Sequence, residues 1–182
     1  LAQSSEVSVP PKSGLGLRIV SALVMAPVAV AALWFGSPWF GMLIFVFSAA
    51  MIWEWLRMCA PARALPLAAV SSVGLAIAMY FQSAAPQLMV LVPILLTALV
   101  VVGLSARERP LVLIGAVFIP VTALAVQWLR VWHPDGLLLI MWLFLVVWAT
   151  DTGAYAFGRA IGGPKLAPRF SPKKTWAGLF GG

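Results

Sequence analysis

The sequence predicts an all-α polytopic integral membrane protein with six transmembrane helices. Three observations predict it. Of 182 residues, 63% are hydrophobic and 9% charged, against about half and about a quarter in soluble domains. Six apolar runs each approach the ~20 residues that a helix needs to cross a bilayer. The runs are continuous rather than alternating, and in lipid only helices or closed barrels satisfy the backbone, so helices follow. Mean hydropathy is +1.03.

Residues 1–16 are polar and rich in Ser and Pro, and read as a disordered cytosolic tail. The six spans that form the transmembrane region 17–158 are placed at 17–35, 39–56, 65–81, 86–104, 111–129 and 137–158. Gly36-Ser37-Pro38, Pro61, Pro86, Pro110 and Pro134-Asp135-Gly136 punctuate them. Pro27, Pro93 and Pro120 fall inside runs and predict kinks. Lys12 and Arg18, followed by Ala29-Val30-Ala31, have the look of a signal peptide, but five further spans favour an uncleaved first helix. Many aromatic residues end apolar runs, including Trp34, Trp39, Trp53, Trp55, Trp128 and Trp132, as residues at headgroup level do. Residues 159–182 form a cytosolic basic loop. The chain begins at Leu1 and ends at Gly181-Gly182, and is expected to be a fragment.

Orientation follows from the cations. With the N-terminus inside, Lys12, Arg18, Arg57, Arg63, Arg107, Arg109, Arg159, Lys165, Arg169, Lys173 and Lys174 all face the cytoplasm, eleven of the twelve, and only Arg130 lies outside. Both ends are then cytoplasmic, in a cell inner membrane crossed many times. Outside the C-terminal stretch there is no long basic face, which argues against a nucleic-acid partner. Cys59 has no second cysteine to pair with and reads as packing. His133, the one histidine, falls on the outer side, away from any cytoplasmic chemistry.

Of five acids, Glu54 and Asp151 lie within spans. Glu54 has Arg57 three residues on and is expected to pair with it; its functional alternative is a second acid near the site. Asp151 has no such partner. Tyr155 and Arg159 follow at intervals of four on one stripe, and Arg159 is too far to neutralise it directly. Ala154, Gly158 and Gly162 form a small-residue ridge that admits another helix and is compatible with a homodimer. An intramembrane acid is by default a functional candidate; the alternative for Asp151 is a buried interhelical hydrogen bond. After it come Lys165, Arg169, Lys173 and Lys174 with the hydroxyls of Ser171 and Thr175, stiffened by Pro164, Pro168 and Pro172. Cations, hydroxyls and bare glycine amides suit a polyphosphate. Thr175 or Ser171 is also placed to cap a following helix. An acid for a divalent metal beside cations for phosphates describes phosphoryl or nucleotidyl transfer.

The motifs D-[ST]-G-A-Y-x-x-G-R, K-L-x-P and S-P-K-K-T-W-x-G-x-x-G-G, running nearly continuously from Asp151 to Gly182, resemble the phosphatidate cytidylyltransferase family, the CDP-diacylglycerol synthases. Trp53-Glu54-Trp55 is a weaker match to the family's second span. The resemblance implies Mg²⁺-dependent transfer of CMP from CTP to phosphatidic acid in phospholipid biosynthesis, with room for a second cation. It implies Asp151 as metal ligand and catalytic residue, with Lys173 and Lys174 catalytic, and Arg159, Lys165, Ser171 and Thr175 binding substrate. Trp176 reads as an interfacial anchor. The chain departs from the family at Ala177, where Glu is usual. The family's downstream signature, ending in Asp-Arg-x-Asp, is not within these residues, so the 182-residue chain is expected to be inactive alone. A transporter, with its buried acids and Pro kinks, and a non-catalytic membrane scaffold packing through the ridge are the competing classes.

Overall fold

The computed structural model describes residues 14–84, 91–104, 109–168 and 171–182, with side chains from Val24 onward except those of 83–84, 109 and 173. Expectations for the tail up to residue 13, and for Pro86, Arg107, Glu108 and Arg169, lie outside the described residues. The elements are α1 (Gly14–Phe35), α2 (Trp39–Cys59), a 3-10 turn (Pro61–Arg63), α3 (Ala64–Ala84), α4 (Leu91–Leu104), α5 (Arg109–Trp132), α6 (Gly136–Ala160), β1 (Lys165–Ala167), β2 (Ser171–Thr175) and α7 (Trp176–Gly181). The helix starts within the expected tail, at Gly14, and Pro27 and Pro120 sit inside continuous helices. Four helices among the described residues are long and apolar enough to cross a bilayer: Trp39–Cys59, Pro61–Gln82, Pro110–Trp132 and Gly136–Ala160. The first run is described as an apolar segment only over Val24–Phe35 and the fourth only over Leu91–Leu104, shorter than a span requires.

The chain divides into two units, one ending at Ala123 and the other beginning at Leu124. In the first, α2 packs on α1 and α3, and α3 on α4. The buried residues follow the helical repeat: Ser48, Ile52 and Leu56 on α2; Leu67, Ser71, Leu75 and Ala78 on α3; Ile94, Ala98 and Val101 on α4. The opposite faces are also apolar, with Met51, Leu65, Val73, Leu95 and Leu99 all more than half exposed. Helices apolar all round belong in lipid. At Gly74 any Cβ would overlap the Thr97 side chain, so α3 and α4 meet through a missing side chain. The Thr97 hydroxyl turns back to the Pro93 carbonyl of its own helix at 2.6 Å.

Two ties close this unit. Trp55 Nε1 donates to the Leu111 carbonyl at 2.9 Å, and Gly115 leaves the room its indole needs. Arg63 Nη1 donates to the carbonyl of Leu104, the last residue of α4, as a cation at a helix C-terminus should. Glu54 and Arg57 stand 4.0 Å apart, both well exposed, a pair worth about 0–1 kcal/mol.

In the second unit, a turn joins α5 to α6, in which the Asp135 N–H donates to His133 Nδ1 at 3.2 Å. Gly136 seats against the carbonyls of Leu129 and Arg130. Only Gly136 and Ile140 of α6 are buried. Gly162 and Gly163 then take φ of +65° and +90°, a backbone region nearly closed to other residues, and end the helix ahead of Pro164.

Candidate functional site

The basic segment is not a loop throughout. Strands β1 and β2 pair antiparallel, Lys165 opposite Thr175 and Ala167 opposite Ser171. One residue of β1 therefore faces three of β2, Pro172 to Lys174, and the Lys-Lys pair sits on a bulge. Bulges re-aim side chains and recur beside active sites. The Trp176 N–H donates to the Pro164 carbonyl at 3.2 Å and ties the base of the hairpin. The segment read as loop because two prolines and four cations hide a strand pattern.

The hairpin returns the chain antiparallel along α6. A Cβ on Gly178 would lie 2.8 Å from the Ala154 carbonyl oxygen, and one on Gly182 would lie 2.8 Å from that of Thr150. Gly153 would meet the Gly181 carbonyl, and Gly158 would approach Thr175 Oγ1 at 3.2 Å. Backbone thus meets backbone, which only glycine allows. The expected ridge is corrected here. Ala154 and Gly158 belong to it, but Gly162 lies beyond α6 with open space around it, and Gly153 takes its place. A count by fours from Gly158 passes over Gly153, which adjoins Ala154 on the helix and faces Gly181. The groove is filled from within the chain, by α7.

Asp151, Tyr155 and Arg159 run along the stripe beside that groove, all exposed. Arg159 Nη1 donates to the Tyr155 hydroxyl at 2.9 Å, a pairing that fixes the guanidinium at the end of α6. Lys165 and Lys174 are exposed, and Ser171 is half-buried on β2. The backbone of Lys173 lies in β2, with its side chain outside the described residues. Thr175 takes the helix cap, one of its two expected roles. It is 7% exposed, and its Oγ1 accepts from the Gly178 N–H at 3.2 Å as the N-cap of α7. Its hydroxyl is turned into the fold because β2 feeds directly into the helix. The hairpin brings Lys165 to the base that Lys174 and Thr175 share, level with Gly158. Asp151 lies seven residues down α6 from that level, about 10 Å along the axis. His133 is farther still: Gly136 and Asp151 are about 22 Å apart along α6.

Between Asp151 and Gly182 there is no further acid, while Arg159, Lys165, Arg169, Lys173 and Lys174 fall there, so the charges of this segment are all positive. Among the described residues no three His, Cys, Asp or Glu side chains come together. The exposed carboxylate of Asp151, about 10 Å along α6 from the hairpin base, can supply one ligand to Mg²⁺, which retains waters and takes one or two carboxylates together with substrate phosphates.

The cytidylyltransferase family model matches residues 16–182. The chain belongs to the cytidylyltransferase family. It is 35% identical over 175 residues to a phosphatidate cytidylyltransferase of Brucella suis, covering 93% of this chain and 64% of that protein. To one of Rickettsia bellii it is 31% identical over 171 residues, covering 94% of this chain and 54% of the relative. A shorter match to the Haemophilus influenzae phosphatidate cytidylyltransferase is 55% identical over 47 residues, 26% of this chain and 16% of that protein. In the two long matches the chain thus spans 54% to 64% of the relative's length. No solved structure matches it significantly.

Proposed function

We propose that the protein transfers CMP from CTP to phosphatidic acid, giving CDP-diacylglycerol and pyrophosphate. The observation that carries this reading is the pairing of one acid, Asp151, on an apolar helix with the cationic hairpin after it, in a member of this family. In the reading, a phosphate oxygen of phosphatidic acid attacks the α-phosphorus of CTP. The bond to the β-phosphate breaks and pyrophosphate leaves, with no covalent enzyme intermediate. Asp151 would hold Mg²⁺, which when bound supplies positive charge to the phosphates; a second cation is compatible with the site. Lys173 and Lys174, carried on the bulge, neutralise the triphosphate as it turns over. Lys165 and Arg159 hold the remaining phosphate charge, and the Tyr155 hydroxyl keeps Arg159 in place. Ser171 donates a hydrogen bond to a phosphate oxygen. Thr175 supports the site from behind, by capping α7 and fixing the base of the hairpin.

The protein is proposed to cross the cell inner membrane six times, α1 to α6, with the N-terminal tail and the β1–β2 hairpin in the cytoplasm, where CTP is. The one-sided distribution of cations supports this orientation. A homodimer would pack through a face other than the ridge, since α7 fills that groove. The test is conversion of phosphatidic acid by the complete protein in membranes or detergent. CDP-diacylglycerol and pyrophosphate should form in equal amounts and only with CTP. Uptake of a solute without nucleotide, and no lipid product, would replace this reading with transport.

A further inference from the structure

The geometry points to a phosphate subsite at the turn that follows α6, built from the backbone N–H groups of Gly162 and Gly163, with the ammonium groups of Lys165 and Lys174 nearby. It deepens the proposed reaction by naming where one reacting phosphate is held, and it rests on that reading for the identity of the ligand. Two sources carry the same chemistry: the pyrophosphate end of CTP and the headgroup of phosphatidic acid.

A glycine at positive φ just past a helix ordinarily returns its N–H to a carbonyl of the last turn. This turn does otherwise. Ile161, at φ −91° and ψ −38°, still gives its N–H to the Phe157 carbonyl at 3.0 Å. Gly162 and Gly163 then swing to φ +65° and +90°. Among the described residues neither of their N–H groups has a hydrogen-bond partner. A helical residue followed by one at positive φ aims successive N–H groups into one concavity, a backbone nest that binds anions. A Cβ added at either glycine would meet nothing within 4 Å, so a ligand has room beside the turn. Nothing crowds these glycines; what they supply is backbone. The turn is also anchored. Pro164 fixes its own φ, and its carbonyl accepts from the Trp176 N–H at 3.2 Å.

Charge decides the sign of the ligand. The C-terminus of α6 contributes roughly −0.5 of an elementary charge, which alone would favour a cation. Against it stand Lys165, two residues past Gly163, and Lys174, next to the Thr175 that pairs with Lys165. Both lysines are exposed, and no acid lies between Asp151 and Gly182. Two full positive charges outweigh the helix end, so the turn selects an anion. Backbone N–H groups beside ammonium groups form the donor set that a phosphate takes in short, charge-assisted hydrogen bonds.

Equilibrium binding to the complete protein in detergent tests this, with radiolabelled pyrophosphate and short-chain phosphatidic acid as the two probes. Gly162→Val drives the turn out of positive φ, which a β-branched residue rarely adopts. Gly162→Asn keeps it, because Asn tolerates the left-handed region. Gly162→Val should bind a probe about 10-fold more weakly than the parent, the worth of one hydrogen bond to a charged group, while Gly162→Asn stays within about 2-fold. Weaker pyrophosphate binding assigns the subsite to the nucleotide, and weaker phosphatidic acid binding assigns it to the lipid headgroup. Should Gly162→Val fail to fold, the double variant Gly162→Ala, Gly163→Ala carries the strain with no clash. Parent affinity for both probes in the strained variant overturns the subsite, and continued CDP-diacylglycerol synthesis then leaves the reaction standing. Equal loss in Gly162→Asn and Gly162→Val also overturns it, because the direction of the N–H groups then does not matter. A parent that binds neither probe overturns it as well. Binding by the parent and the expected loss in Gly162→Val, with no lipid product formed, removes the proposed reaction and leaves the subsite.

Discussion

The α2–α3–α4 bundle and the α6–α7 corner use polar side chains in opposite ways. In the bundle these groups are spent on backbone: Trp55 on the Leu111 carbonyl, Arg63 on that of Leu104, Thr97 on that of Pro93. At the corner Asp151, Lys165 and Lys174 stand exposed, and the helices are held together by glycine contacts instead. Packing through bare backbone leaves the long polar side chains of α6 and the hairpin uncommitted. A polar group in a membrane helix is thus read by its partner: one bound to a carbonyl is a brace, and one left open is available for chemistry.

That contrast can be broken by four substitutions. The largest effect is expected for Asp151→Asn, which should lower CTP-dependent CMP transfer by about 100-fold or more, since a lost metal interaction is worth several kcal/mol. Its unfolding midpoint in detergent should match the parent; full activity would remove Asp151 from the site. Gly153→Ala comes next. Its Cβ would overlap the Gly181 carbonyl, backbone that yields poorly, at a cost of about 1–3 kcal/mol. A lower unfolding midpoint and weaker activity together are the expected result, and an unchanged midpoint would show that α7 does not dock here. Trp55→Phe removes one donor to a carbonyl and should cost about 1 kcal/mol of stability with catalysis intact. A selective loss of activity there would join the brace to the site. Last, Gly103→Ala meets nothing within 4 Å and should be neutral or stabilising by about 0.5–1 kcal/mol, the opposite sign to Gly153→Ala.

The helices were legible in the sequence because apolar runs between Pro and Gly leave a membrane helix few alternatives, and the observed ends fall within a few residues of the expected ones wherever both are described. The corner was legible only in part. Asp151 stood out as an acid in an apolar run, and Arg159 as its neighbour two turns on. The hairpin did not, since Lys165 to Thr175 pairs through a bulge and carries proline in the strand itself. The burial of Thr175 was hidden too: whether a hydroxyl caps a helix or faces a ligand depends on where the next helix begins. Gly162 looked like Gly158 in spacing, and only its positive φ separates a helix end from a packing surface.

The two ties of the bundle also set an order of assembly. Trp55 waits for a carbonyl 56 residues further along the chain, and Arg63 for one 41 residues on. Because synthesis runs from the N-terminus, Trp55 and Arg63 leave the ribosome before their acceptors do. In the proposed orientation Arg63 first serves as a charge that holds its loop on the cytoplasmic side. It becomes a bolt only when the end of α4 arrives, so the same guanidinium works once during insertion and again at closure.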